Sequence, residues 1–442
     1  MSKISDLKDR VSGAVLLPGD DGYDAARTIQ ATTGEPAVVV RPDTAADVAA
    51  AIAYAKSEQL VLSVKSGGHS ASGSSTNNGG LVIDLGSLAH VDVLDGGLVR
   101  IGGGAVWGNI ANALAPHNLA LTSGDTTSVG VGGLTLGGGI GWMVREHGLA
   151  VDSLVAAEVV TASGDILTVN DAENTDLFWA IRGGGGNFGV VTSFTFQAHV
   201  LSGVFFGTVN VGLDHLRSAL EGWRDVMRSA PEQLNSTFLI MPAMGPEMPA
   251  GAQIVTLFAG DDEEQANAAV APLLAIGGVR DHSLERVAYA DVLEEPRHPE
   301  GMKFVSNNGF TPDLSDDAID ALVGMYDSLG GVLMIRSLNG VLNRVPADAT
   351  AFAYRNSDTL VISVAFMPED TPDEVIAGLS EKWQTFAPYT SGMYGNFSEP
   401  LRENALQSIY PRATMERLER IKFTYDPSNL FSQNINIRPV GE

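Results

Sequence analysis

Val64-Lys65-Ser66-Gly67-Gly68-His69-Ser70 decides how the rest of the chain is read. The apolar run before it, Leu60-Val61-Leu62-Ser63-Val64, has the length and composition of a buried strand. Two consecutive glycines then strip the turn of Cβ atoms, so the backbone can take positive φ and lie close to a ligand. N–H groups converging in such a turn form a nest for a phosphate or pyrophosphate. Ser66 and Ser70 add hydroxyls, Lys65 adds a positive charge beside the nest, and His69 is the one side chain of the turn able to act as a nucleophile. Taken alone, the stretch reads equally well as a tight glycine turn carrying a surface histidine. The downstream sequence gives it weight.

Upstream and downstream the chain alternates helix and strand signals in an α+β order. Residues 20–31 read as a short helix and 36–42 as a strand bounded by prolines. Thr44 opens a helix over 45–57, with Asp47 three residues on as the capping acid. Strands at 81–85, 91–93 and 98–101 precede a helix at 107–114. A second glycine cluster spans 122–142, including Val129-Gly130-Val131-Gly132-Gly133 and Gly137-Gly138-Gly139-Ile140-Gly141-Trp142. Glycine at that density, without proline or charge, makes a poor linker and a poor regular element; it fits backbone lying flat against a large planar ligand. The third cluster, Gly183-Gly184-Gly185-Gly186-Asn187-Phe188-Gly189, satisfies G-x-G-x-x-G. A dinucleotide fingerprint must follow a strand and open a helix, whereas here an alternating strand, 190–196, follows the glycines, so the Rossmann reading fails.

From about residue 200 glycine thins out. Helices at 213–229, 263–275, 315–329 and 372–386 alternate with strands that include 236–241, 252–258, 332–336 and 359–366. Helices over one antiparallel sheet leave an open face for a substrate. A helix at 414–423 precedes the tail Asp426-Pro427-Ser428-Asn429-Leu430-Phe431.

The chain has 442 residues, which suggests two domains, one of them interrupted. No apolar run reaches the about 18 residues of a membrane span, and no signal peptide is evident at the N-terminus. With no cysteine there is no disulfide, thiolate catalysis or Cys-based metal site, and a cytoplasmic location is the expectation. The net charge of −26, from 53 acidic and 27 basic residues, argues against a nucleic-acid or anionic-membrane partner. The histidines show no H-x-H or H-E-x-x-H spacing, so no metal site is expected.

Taken together, S-G-G-H-S, V-G-V-G-G…G-G-G-x-G, H-G-L-A-x-D at 147–152, G-G-N-F-G-V-V, Y-x-N at 394–396 and the Y-D-P-x-N-L-F…N-x-N-I tail resemble the berberine-bridge-enzyme-like branch of the vanillyl-alcohol-oxidase flavoproteins. The resemblance spans nearly the whole chain and rests on several motifs in the right order. It implies a PCMH-type FAD-binding domain of two α+β subdomains in residues 1–200. It also implies a substrate domain in 201–390 and a C-terminal segment, 391–442, that returns to the FAD domain.

In that family the histidine of S-G-G-H is joined to the flavin 8α-methyl carbon, which makes His69 the attachment residue. Many relatives add a second bond from a cysteine; the matching position here is Thr126, so attachment through His69 alone is implied. A histidine that many relatives carry after the G-G is Leu134 here. Cofactor contacts are implied at Lys65, Ser66, Gly67, Gly68 and Ser70, and at Thr126, Val129, Gly130, Gly132, Gly133, Gly138 and Ile140. Asp152, Gly189, Val190, Val191, Asn396 and Asn434 complete the set.

The implied chemistry is oxidation of a substrate C–H bond by hydride transfer to flavin N5, with O2 or another acceptor taking the electrons. The substrate is an alcohol, sugar, amine, or phenolic or polyketide metabolite. Tyr394 is the catalytic candidate, read either as a base or as an aromatic wall over the flavin; a tyrosine pKa of about 10 needs help for the first role. Arg336, Asn339 and Tyr354 are further pocket candidates, and Trp142 fits either a pocket wall or core packing. Two rival functions stay open: a hydroxy-acid or aldonolactone-type flavin dehydrogenase, and a non-catalytic flavin-binding protein.

Overall fold

The structure is a computed structural model that describes residues 3–243, 249–295, 302–368, 370–398 and 405–441. The N-terminal apolar runs build its first sheet. Val38–Arg41, Leu81–Asp84 and Leu62–Lys65 lie side by side and parallel, with Ala14–Leu16 antiparallel at the edge. Parallel strands need a crossover, and the helix Ala45–Glu58 supplies it. That helix starts as expected: the Thr44 hydroxyl accepts from Asp47 N and the Asp47 carboxylate accepts from Thr44 N. Its Val48, Ala51, Ile52 and Ala55 close over Val38, Val40, Leu62, Leu81 and Ile83. Leu62–Lys65 therefore ends, at its carboxyl end, in the turn that carries His69, the position where open α/β sheets collect ligands.

A second, antiparallel sheet runs in the order Val91–Val93, Leu98–Gly102, Val190–Gln197, Leu154–Val160, Ile166–Asn170. The third sheet is also antiparallel. It has seven strands in the order Val279–Val287, Val204–Val211, Gly251–Ala259, Leu234–Met241, Val332–Ser337, Thr359–Pro368, Met302–Thr311. Alternation along its strands sends Phe238, Ile240, Leu333, Ile335 and Val361 into one core with the helices Leu216–Ser229, Glu263–Leu274, Asp316–Leu329 and Asp373–Trp383. The opposite face, with Ser306, Met334, Ile362, Val364 and Phe366, looks into a cavity shared with the first two sheets. The last helix, Arg412–Tyr425, returns to the second sheet, where Leu418 and Ile421 share a core with Val99, Ile101 and Phe194.

Several expectations need correction. The helix read over 20–31 is only Tyr23–Arg27, because Thr28 is extended (ψ 134°) and bridges to Thr33. The second glycine cluster does contain a regular element, the short helix Val131–Leu136, started by the extended Gly130 and tied by Val131 N to Ala105 O. The strands Val204–Val211, Val279–Val287 and Met302–Thr311 were not among those read from the sequence. Val279–Val287 is an edge strand, and its Arg280, Asp281, His282, Glu285 and Arg286 carry the charge that protects such edges and erases an apolar alternation.

Candidate active site

The two glycine clusters meet in backbone contact. A Cβ on Gly67 would lie 2.2 Å from Gly130 N, and one on Gly130 would lie 2.2 Å from Gly67 N and 2.3 Å from Ser66 Oγ, so only glycine fits at either position. Gly68 takes φ +74°. The Ser66 hydroxyl donates to Gly103 O at 2.7 Å, pinning the turn to the second sheet. Beyond His69 the hydroxyls of Ser70, Ser72 and Ser74 cluster, with Ser70 Oγ 2.9 Å and 2.7 Å from its two neighbours.

These loops line one side of a cavity of about 550 Å³, within the roughly 300–1,000 Å³ of small-molecule and cofactor sites. Ser66, Gly67, Gly68, His69, Ser70, Thr126, Val129, Gly130, Gly132, Gly133 and Ile140 face it, as do Gly189, Val190, Val191, Tyr354, Tyr394, Asn396 and Asn434. Two features of the walls fit a large cofactor that carries hydrogen-bond donors. A Cβ on Gly133 would meet no protein atom within 4 Å, so the space over that backbone belongs to the cavity. Asn434 gives its amide protons to Gly186 O and Phe431 O, while its buried Oδ1 has no hydrogen-bond partner among the described residues. A cofactor donor would satisfy that acceptor. Among the described lining residues there is no Lys or Arg, so hydroxyls and backbone are what the walls offer a pyrophosphate.

Tyr394 is 3% exposed and held from two sides. Its backbone is clamped by Asn308, whose Oδ1 accepts from Tyr394 N and whose Nδ2 donates to Tyr394 O. Its hydroxyl oxygen accepts from Gly139 N at 3.0 Å and from Asn396 Nδ2 at 2.9 Å. Burial pushes its pKa up to about 12, against the opposing pull of these donors. With both lone pairs occupied, a neutral Tyr394 has one thing left to offer, its own proton.

Asp125 is the acidic side chain among the described lining residues. Burial pushes its pKa up, but Arg336, donating a 2.5 Å hydrogen bond, more than reverses this and holds the carboxyl below its usual range. Asp125 lines the cavity, and 46% of its side-chain surface is exposed.

Six expected site residues lie outside the cavity lining. Lys65 turns away from the nest and donates to Ala25 O and Ala26 O, 3.9 Å from Asp84. Asp152 is gripped by both Nη atoms of Arg355, at 2.6 and 2.8 Å, and accepts from Leu149 N. Gly138 shapes a turn at φ +126°, where a Cβ would strike Phe352. Trp142 packs edge-on against Phe206 under the Arg336 guanidinium. Arg336 reaches the site through Asp125, and Asn339 bonds Arg145 and Met227 O instead. Sequence reading missed Asp125, Ser72 and Ser74, although the serine-rich run after His69 was the available signal. It also missed Ser128 and Glu295, which sit behind the His69 ring.

Comparison with known proteins identifies FAD-linked relatives. The FAD binding domain family matches residues 36–170. An FAD-linked oxidoreductase of Bacillus subtilis (strain 168) is 30% identical over 98% of both chains. The (R)-6-hydroxynicotine oxidase of Paenarthrobacter nicotinovorans is 28% identical, again over 98% of each. The solved glucooligosaccharide oxidase of Acremonium strictum, described as holding a 6-S-cysteinyl, 8α-N1-histidyl FAD, superposes over 100% of both chains with a TM-score of 0.86 at 26% identity.

Proposed function

The chain belongs to the FAD-linked oxidoreductases of the vanillyl-alcohol-oxidase family, and from that premise we propose that it oxidises a compact substrate without an anionic group at one carbon bearing an alcohol or amine, with FAD joined to His69 alone. The bound FAD supplies the two-electron acceptor for a hydride from that carbon. Tyr394 donates its proton as a hydrogen bond to the substrate heteroatom and so orients the C–H bond. Asp125, kept ionised by Arg336, accepts the proton that the substrate loses. Dioxygen is the acceptor we assign, in line with relatives that are named oxidases.

The observation that carries the substrate class is the apolar part of the cavity wall: Met334, Phe352, Ile362, Val364, Phe366 and Phe397. A hydroxy acid brings a carboxylate that wants a bidentate cation, and no described lining residue is Lys or Arg. An oligosaccharide brings many hydroxyls, each costly to bury unpaired. Tyr354 has already spent its proton on Ser408 O.

The test is anaerobic mixing of the yellow holoprotein with benzyl alcohol and N-methylbenzylamine on one hand and lactate and xylobiose on the other. The expected result is loss of the oxidised flavin spectrum with a ring compound, followed by recovery on admitting air. Bleaching by lactate or xylobiose alone contradicts the substrate class. A flavin untouched by any of the four while dithionite reduces it favours a flavin-binding role without catalysis.

A further inference from the structure

We propose that Ser128 and Glu295 form a proton relay behind His69 that fixes its tautomer and removes its proton as the bond to FAD forms. The inference rests on the reading of His69 as the attachment residue. His69 Nε2 lies 2.7 Å from Ser128 Oγ, and Ser128 Oγ lies 2.7 Å from Glu295 Oε1. The second carboxylate oxygen of Glu295 accepts from the Thr127 hydroxyl at 2.5 Å. Backbone pairing brings the glutamate there: Thr127 N donates to Glu294 O and Glu294 N donates to Asp125 O. A segment of the chain far from the glycine clusters thus reaches across to the flavin loop.

The proton directions follow by elimination. Hydrogen bonds from Thr127 and Ser128 hold the Glu295 carboxyl below its ordinary range, so it is an ionised acceptor. Ser128 has one proton, and it goes to Glu295. Ser128 Oγ must then accept from His69, which places the imidazole proton on Nε2 and the nucleophilic lone pair on Nδ1. The same logic orients the histidine of a hydrolase triad.

As Nδ1 bonds to the 8α-carbon, positive charge develops on the ring and Nε2–H becomes acidic. Ser128 accepts that proton while passing its own to Glu295, which is exposed and releases it to water. Bond formation costs one proton from the 8α-methyl and one from the imidazole. The electron pair reduces the flavin, and dioxygen restores it, so atoms and electrons balance. Ser128 touches His69, Glu295 acts on it through Ser128, and both are positioning residues.

The experiment produces the full chain with Glu295→Gln, Glu295→Asp and Ser128→Ala, then follows acid-stable flavin against time with added FAD. Glu295→Gln and Ser128→Ala are expected to bind FAD yet form the bond about 10–100-fold more slowly than the parent, the usual size of an outer-partner effect. Glu295→Asp should recover part of the rate. Glu295 is exposed, so its replacement leaves the fold intact. A parent that holds its flavin covalently, with variants linked just as fast, overturns the relay alone. A parent whose flavin washes out in acid overturns the attachment and the relay together.

Discussion

Replacing Lys422 by Met is expected to lower the free energy of unfolding by about 3–5 kcal/mol, the size seen when one member of a buried ion pair is removed. Lys422 and Asp426 both have side chains with 0% exposure. Nζ spends its protons on Asp426 Oδ2 at 2.6 Å, Asn187 O at 2.7 Å and Phe431 O at 3.0 Å. Burial pulls the lysine pKa down, and Asp426 pulls it back up. Asp426 in turn accepts from Leu430 N and Phe431 N.

The truncated variant leaves that carboxylate buried without a cation. It also frees the tail segment carrying Phe431, Gln433, Asn434 and Ile435, all of which wall the cavity. Thermal and urea unfolding would read the loss, and noncovalent FAD should bind more weakly as well. Pairing Lys422→Met with Asp426→Leu should recover part of the stability. A single variant as stable as the parent contradicts this account of the tail.

The second large effect is catalytic. Tyr394→Phe should lower kcat/KM about 10²–10³-fold, the cost of losing one preorganised donor at a reacting centre. It should also cost about 1–3 kcal/mol of stability, since Gly139 N–H and the Asn396 amide lose their acceptor. The pH dependence separates donor from base. Burial raises the folded-state pKa to about 12, so the protonated form is favoured by folding. Tyr394 therefore works unchanged below about pH 10, and stability falls as pH climbs from there through about 12. A base would instead show activity rising with its own ionisation. If kcat/KM of the parent rises steeply through about pH 10 and the rise vanishes in Tyr394→Phe, the donor role is wrong.

Much of the site was legible because glycine records constraint directly. Gly67 and Gly130 are required by a backbone contact that no other residue survives, so two clusters about 60 residues apart mark one place. Thr44 and Asp47 announced their helix through local hydrogen bonds that need no tertiary context. What stayed hidden is what depends on which way a side chain turns. Lys65 follows its strand beside the nest, yet the pleat and Asp84 draw its ammonium to the carbonyls of residues 25 and 26. Asp152 sits in a family motif, but Arg355, 203 residues away, claims it. Glu295 carries no local signal, because only the pairing of 294 with 125–127 brings it to Ser128. Edge strands such as Val279–Val287 escape for the same reason: their pattern answers to solvent and not to a core.

The central claim is a flavin bonded through His69 and nowhere else. The sequence makes it directly readable, since trypsin would release His69 in the peptide 66–100 and Thr126 in the peptide 101–145. The measurement is acid precipitation of the purified yellow protein, digestion of the pellet, and detection of flavin absorbance across the separated peptides. The account predicts flavin in the pellet, carried by the peptide 66–100 and absent from 101–145, with His69→Ala releasing it all to the supernatant. Flavin released from the parent in acid, or found on a peptide without His69, would contradict it.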